Sequence, residues 1–341
     1  MAGKSTFTDL AAAIPDEAAA YEYLEGLRWP SGTPVCPHCG YKGANYIRPL
    51  NGKTRRTRTG AQSARRLWQC QSCRKQFSAM TGTIFHGSKV PLRTWLFVIF
   101  EMASSKNGMA AREIERKYGV APKTAWFMAH RLREAMKAKG PQFLMAGTIV
   151  ADETWIGGTP SRMNKKTRAR MEGRKEEPVP VVPGAPRPNQ LTAKTPVLSL
   201  INARTGEVRS RVVPTVDGKV LRKVIAEQVD MARSELWTDE GGWYGQIGEE
   251  FKAHKTVNHS EDEYVNLSTG VTTNHAEGYF AQLKRSIDGT HHKVSREHLP
   301  RYLTEFDFRY STSAMSDRGR MMRLVDGADG RRLSYKRVKG G

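Results

Sequence analysis

Two periods of apolar residues divide the chain. Over the first 140 or so residues the spacing is three and four: Ala18, Ala19, Tyr21, Leu24 and Leu27 predict a helix over about 16–27 that Trp29-Pro30 stops, and Leu92, Trp95, Leu96, Ile99 and Met102 predict another behind Pro91. A helix over about 110–118, the break Gly119-Val-Ala, and a third helix opened by Pro122 with Ala125, Ala129, Leu132 and Met136 on one stripe make a helix-turn-helix pattern. A plain three-helix packing module has the same periodicity. From residue 148 the pattern becomes that of strands. Ile149, Val150, Thr154, Trp155 and Ile156 are β-branched or aromatic and Gly157-Gly158 ends the run; residues 196–202 alternate, 204–207 turn and 208–213 return. A helix over 217–229, a short strand over 235–239, a helix starting near Asn274 and another over 295–310 follow, which makes this half α/β. One more strand is expected at 81–85.

The strand at 148–156 carries carboxylates in mid-run. Asp152 or Glu153 must then be partly buried, costly for a charge unless it is paired or holds a metal. Side chains alternate, so the two point to opposite faces and only one can serve a given site; the alternative is a strand end near solvent with two solvated acids. Asp239 closes the strand at 235–239 just before Gly241-Gly242, where α/β folds place functional groups, or where a loop aspartate caps the next element. Glu277 and Lys284 are seven apart and share a helix face, whereas Asn274 and Glu277 have capping-box spacing that would explain both without chemistry. Together, Asp152, Asp239 and Glu277 are oxygen donors from separate elements, able to hold two divalent cations about 4 Å apart for in-line phosphoryl transfer.

Charge narrows the substrate. A formal net charge of +21 and an isoelectric point near 10.0 call for a polyanion, nucleic acid before acidic membrane, since no basic amphipathic helix stands out. Lys53, Arg55, Arg56 and Arg58 form a basic loop, Lys123, Thr124, Phe127 and Arg131 would face DNA from the third helix, and Lys284 with Arg285 from the helix of Glu277. Residues 159–190, basic and proline-rich, are expected as an insertion ordered on a partner, and 313–341 as a basic tail. All four cysteines lie in two knuckles, Cys36-Pro-His-Cys39 and Cys70-Gln-Ser-Cys73, the pattern of a zinc ribbon with four thiolate ligands; a redox pair or two disulfides is the other use of such spacing. The longest apolar run, 95–100, falls far short of a membrane span, and the first residues do not form a signal peptide, so a cytoplasmic protein is expected.

The blocks Asp152-Glu-Thr-Trp-Ile-Gly-Gly158, Asn274-His-Ala-Glu277 through Leu283-Lys-Arg285, and Gly289-Thr-His-His-Lys-Val294 with Glu305-Phe-Asp-Phe-Arg-Tyr310 resemble the signatures of bacterial insertion-sequence transposases of the ISXO-like group. The ribbon and Thr81-Gly-Thr-Ile-Phe85 match as well, so the resemblance covers most of residues 20–312. It implies a ribonuclease-H-like DDE domain, a central mixed sheet flanked by helices. It implies Asp152 and Asp239 as the first two catalytic acids, Glu277 or Asn274 as the third with Lys284 beside it, and two Mg2+ or Mn2+ ions besides the zinc. The activity implied is cleavage at the terminal inverted repeats of a mobile element and joining of the 3′ ends to target DNA. The partner is then double-stranded DNA, bound by a homodimer or larger assembly at the nucleoid in the bacterial cytoplasm. The expected division is a helical segment 1–30, zinc ribbon 31–86, helix-turn-helix-like domain 87–141, catalytic domain 146–312 with the insertion 159–190, and the tail 313–341. A non-catalytic DNA-binding regulator with structural acids, and a stand-alone nuclease on the same fold, are the other two readings.

Overall fold

Capped, amphipathic segments give the first half its helices. The computed structural model describes residues 6–43, 47–49, 66–137, 143–157, 194–239, 241–257, 265–266 and 271–338, and the chain forms two units, 1–139 with 312–341, and 140–311. In the first unit α1 (Phe7–Ala13) and α2 (Glu17–Arg28) lead into the antiparallel ribbon β1 (Ile47–Pro49), β2 (Trp68–Cys70) and β3 (Gln76–Phe77). Asp16 caps α2 by accepting from the Ala19 N–H at 2.8 Å. Helix α3 (Leu92–Ser104) is apolar on nearly all sides and buries Leu92, Trp95, Leu96 and Ile99, so it forms the middle of this unit. Its first amides, on Leu92 and Arg93, donate to the Glu17 carboxylate at 2.6 and 3.0 Å. Helices α4 (Ala111–Tyr118) and α5 (Pro122–Met136) follow, joined through Gly119 at φ 62°, the left-handed stop that the glycine permits.

Two expectations for this unit give way. Residues 81–85 form turns with a single bridge from Thr83 to Asp329. Hydroxyls win over a ladder there: Thr81 Oγ1 accepts from the Ser78 N–H, Thr83 Oγ1 donates to the Met80 carbonyl, and Gly82 is left-handed at φ 77°. Residues 313–341 are not simply a tail. Among them, α10 (Asp317–Gly327) is capped by Ser316 and buries Met321, Leu324 and Val325, a three-to-four stripe hidden among arginines. At Gly327 a Cβ would lie 2.0 Å from the Ala135 carbonyl oxygen, so glycine is what lets α10 press onto the end of α5. A last turn, α11 (Tyr335–Val338), sets Tyr335 edge-on to Trp126 and Phe127.

In the second unit a five-stranded sheet has the order β6-β5-β4-β7-β8, with β4 (Met145–Ile156), β5 (Thr195–Asn202), β6 (Val208–Val212), β7 (Val229–Asp239) and β8 (Ala253–Val257). The β4–β5–β6 part is antiparallel and the β4–β7–β8 part parallel. Helix α6 (Gly218–Ala226) crosses between the two parts, ending three residues sooner than expected because Val229 already starts β7, which is eleven residues long rather than five. One sheet face, with Ile149, Ala151, Leu198 and Leu236, packs under α6 and the short α7 (Gly245–Gly248). The other, with Val150, Val197 and Ile201, packs under α8 (Asn274–Ser286) and α9 (Leu299–Ser311). A π-helical turn at Ile287–His291 follows α8, and β9 (Val265–Asn266) pairs with β10 (Val271–Thr272) before it. The result is the mixed sheet with helices on both faces that the resemblance implied.

Candidate active site

Strand register decides where the acids go. The last parallel pair between β4 and β7 is Val150 with Trp237; Asp152 and Asp239 each lie two residues beyond, so alternation returns both to that same face. It is the face α8 covers, since Val150 shares a core with Ala276, Tyr279, Phe280 and Leu283, and Trp237 lies against it. Glu277, in the first turn of α8, is exposed.

The charges act on one another. The Asp152 carboxyl is pushed from 3.8 up to about 7, first by burial, then by the charge of Asp239, then by those of Glu153 and Glu277, against the lowering effect of a backbone bond. Asp152 Oδ1 accepts from the Glu153 N–H at 2.6 Å and Asp239 Oδ1 from the Gly241 N–H at 3.1 Å. Among the described residues no hydrogen bond engages Oδ2 of either aspartate, and no ion pair includes Asp152, Asp239 or Glu277. The oxygens of these three acids are not all within 4.8 Å of one another. A set of oxygen donors with no basic partner and a spare oxygen on each aspartate fits hard divalent cations. Glycine follows Asp239 so closely for a reason: a Cβ at Gly241 would come within 3.0 Å of Asp239 Oδ1.

Glu153 points to the opposite face, as alternation requires, and accepts a short hydrogen bond from the hydroxyl of Tyr244, a fully buried residue. Burial pushes the Glu153 carboxyl up to about 7, with Asp239 adding to this and the Tyr244 bond opposing it. Tyr244 was not singled out in the sequence; the signal was a hydroxyl-bearing aromatic two residues past Gly241-Gly242.

The capping-box explanation of Glu277 fails on geometry. Thr273, not Asn274, is the N-cap of α8, and it makes no side-chain cap bond; Asn274 is the first helical residue, its N–H donating to Thr272 Oγ1 at 3.1 Å. Farther along α8, Lys284 and Arg285 are exposed and form no ion pair among the described residues, Arg285 donating from Nε to the Ala281 carbonyl at 3.1 Å. The block at 305–310 braces this helix. Asp307 accepts from the Ser210 N–H at 2.9 Å, the Ser210 hydroxyl at 2.7 Å and the Tyr279 hydroxyl at 2.7 Å, tying α9 and α8 to β6. Glu305 and Arg309 form a buried ion pair at 2.7 Å within α9. His291 packs edge-on against Tyr302 at 4.8 Å.

The four cysteines do meet. Cys36 Sγ lies 3.7 Å from Cys73 Sγ, and Cys39 Sγ 3.7 Å from Cys70 Sγ, with all four within 4.8 Å of one another. A tetrahedron with zinc–sulfur bonds of about 2.3 Å has edges of about 3.8 Å, whereas a disulfide needs about 2.05 Å. Both knuckles turn alike: the residue after each second cysteine, Gly40 at φ 72° and Arg74 at φ 58°, is left-handed. His38 faces the Gln76 carbonyl, outside the thiolate set. This is the donor set of a structural zinc site.

The DNA-facing expectations divide. Lys123 is exposed and Thr124 half-buried on α5. Arg131 is buried instead, its guanidinium 4.5 Å from the Phe127 ring centroid and donating to the His86 carbonyl at 3.2 Å; burial first, then the Arg332 charge, lowers its pKa. Tyr335 stands edge-on to Phe127, a contact that the helical stripe could not foretell. Lys53, Arg55, Arg56 and Arg58 and the insertion 159–190 lie outside the described residues.

Residues 144–311 match the ISXO2-like transposase domain, and residues 15–76 match the transposase zinc-ribbon domain. The chain belongs to the ISXO2-like transposases. The ribbon match contains Cys36, Cys39, Cys70 and Cys73, and the transposase-domain match contains Asp152, Asp239 and Glu277. This transposase is 25% identical over 297 residues, 86% of its chain and 90% of the other, to an uncharacterised protein in transposable element ISH50 of Halobacterium salinarum. It is similar to a chain in the crystal structure of a pre-cleavage Mos1 transpososome over 67% of its own length and 76% of that chain, at 13% identity and a TM-score of 0.27. Among its described residues no helix is long and apolar enough to cross a membrane.

Proposed function

We propose that this ISXO2-like transposase binds the terminal inverted repeats of an insertion sequence, cleaves their 3′ ends and transfers them into target DNA, with Asp152, Asp239 and Glu277 at the reacting phosphate. One observation carries the reading: two acids stand at one level of neighbouring parallel strands, on the face covered by the helix that bears the third. Mg2+ or Mn2+ held by these carboxylates would supply Lewis-acid activation of the attacking oxygen and stabilise the leaving one. The chain's own part is to fix Asp152 and Asp239 through the Glu153 and Gly241 amides, so that Oδ2 of each would be available to hold a cation. Lys284, two turns on from Glu277, takes a phosphate of the bound strand, and Arg285 stands beside it. Asn274, one turn before Glu277, is the other candidate for the third position.

The first unit grips the ends of the element. The zinc ribbon, the loop of Lys53, Arg55, Arg56 and Arg58, and Lys123 with Thr124 on α5 supply phosphate and groove contacts. Two ends must be held at once, so the working form on DNA is a homodimer or larger, acting on the nucleoid in the cytoplasm. The test uses a labelled end duplex with Mg2+. Asp152→Asn and Asp239→Asn should abolish cutting and joining while duplex binding stays within a few-fold of wild type; a variant that still cuts removes that residue from the site. Glu277→Gln and Asn274→Ala, compared in the same assay, identify the third residue as the one whose loss stops cutting but not binding.

A further inference from the structure

Among the described residues, nothing in the packing around Gly278 requires glycine. It lies inside α8, where glycine is the poorest helix former after proline. Its φ is not among the positive ones. Among the described residues, a Cβ built on it would meet only the Tyr310 hydroxyl, at 3.8 Å, an ordinary contact. Gly241 and Gly327 differ, because a Cβ there would lie 3.0 Å from Asp239 Oδ1 and 2.0 Å from the Ala135 carbonyl oxygen.

The surroundings of Gly278 say what the missing side chain could admit. It is exposed, and directly follows Glu277. Arg285 stands seven residues beyond Gly278 as Lys284 does beyond Glu277, so each cation lies about 10 Å along the helix on the side of its counterpart. Neither has an ion-pair partner among the described residues. An acid at one end, two unpaired cations at the other, and bare helix backbone beside the acid suit a polyanionic strand lying in contact with α8.

We infer that Gly278 is a clearance residue, whose lack of a side chain lets the sugar–phosphate backbone of the strand being cut rest against α8 between Glu277 and the Lys284–Arg285 pair. This rests on the proposed active site, and it assigns Gly278 to positioning rather than to chemistry. Folding and function then pull in opposite directions at this position. Gly278→Ala and Gly278→Gln both favour the helix and should raise the melting temperature, by about 2–4 °C. Both should slow single-turnover cutting of the end duplex, on the order of tenfold for alanine and 100-fold for glutamine, as a strand displaced by an ångström or more would be. A raised melting temperature with a wild-type rate overturns the inference. So does a lowered melting temperature with a lowered rate, which would make Gly278 a packing residue. Absence of cutting by the wild-type protein removes the proposed function and this inference together, whereas wild-type cutting with full-rate variants removes this inference alone.

Discussion

The cysteine cluster and the acids proposed to hold the catalytic cations are built on opposite terms. In the ribbon, two short knuckles hold four sulfurs at tetrahedral spacing, with 3.7 Å between the partners of each measured pair. In the second unit, carboxylates from two strands and a helix stand near enough that burial and the charges of Asp239 and Glu277 raise the proton affinity of Asp152, yet their oxygens do not all come within 4.8 Å. A closed shell of soft ligands is a fastening, while an open set of hard ones leaves room for substrate oxygens. The first cluster stabilises the fold and the second burdens it.

The largest break in that contrast should come from Cys36→Ser or Cys70→Ser. Bound zinc falls well below one per chain, and the ribbon unfolds, since such sites contribute apparent binding free energies on the order of 10 kcal/mol. Metal content and limited proteolysis read this out; a variant that keeps zinc and its protease resistance refutes the ligand assignment.

Asp152→Asn should do the reverse: zinc and fold persist while cutting falls by about 1,000-fold, near 4 kcal/mol of barrier. The same variant sharpens the comparison through pH. Because the folded carboxyl sits near 7 against 3.8 ordinarily, it binds its proton more tightly folded than unfolded. The metal-free wild type therefore loses stability as pH rises from about 4 to 7, and stays low above that. At pH 8 the variant should melt at least ~2 °C higher, a gap that closes toward pH 4 and shrinks when Mg2+ is added at pH 8. Equal melting at pH 8 would show that Asp152 carries no such penalty.

Tyr244→Phe leaves the half-buried Glu153 without its hydroxyl donor, at a cost of about 1–3 kcal/mol, visible as a lower melting temperature with zinc content unchanged. Lys284→Ala should have the smallest effect: DNA affinity drops modestly at low salt, and the slope of log affinity against log salt falls by about 1. An unchanged slope would place Lys284 away from phosphate.

Asp152 stood out because an acid inside a β-branched run conflicts with burial, and Asp239 because it ends a strand just before a glycine turn; alternation put Asp152 and Glu153 on opposite faces, and the resemblance chose between them. The cysteine spacing was legible for a similar reason: it has few uses. What stayed hidden depended on distant partners. Met321, Leu324 and Val325 look unremarkable among arginines until α3 and α5 are there to receive them. The first half of β7, with Asp230 and Arg233, carries no alternation, and its neighbours in the sheet determine its path. Arg131 read as a DNA contact because nothing near it in sequence announced that the distant His86 carbonyl would accept its hydrogen bond, or that residues 313–341 would return to α5.

That return also sets an order of events on the ribosome. Residues 140–311 emerge before α10, so the whole second unit can fold while the unit with the four cysteines still lacks its closing helix. A message broken after residue 311 would therefore release a chain with Asp152, Asp239 and Glu277 in place and the face of α3 that α10 covers laid open, a product that cellular proteases can recognise and clear.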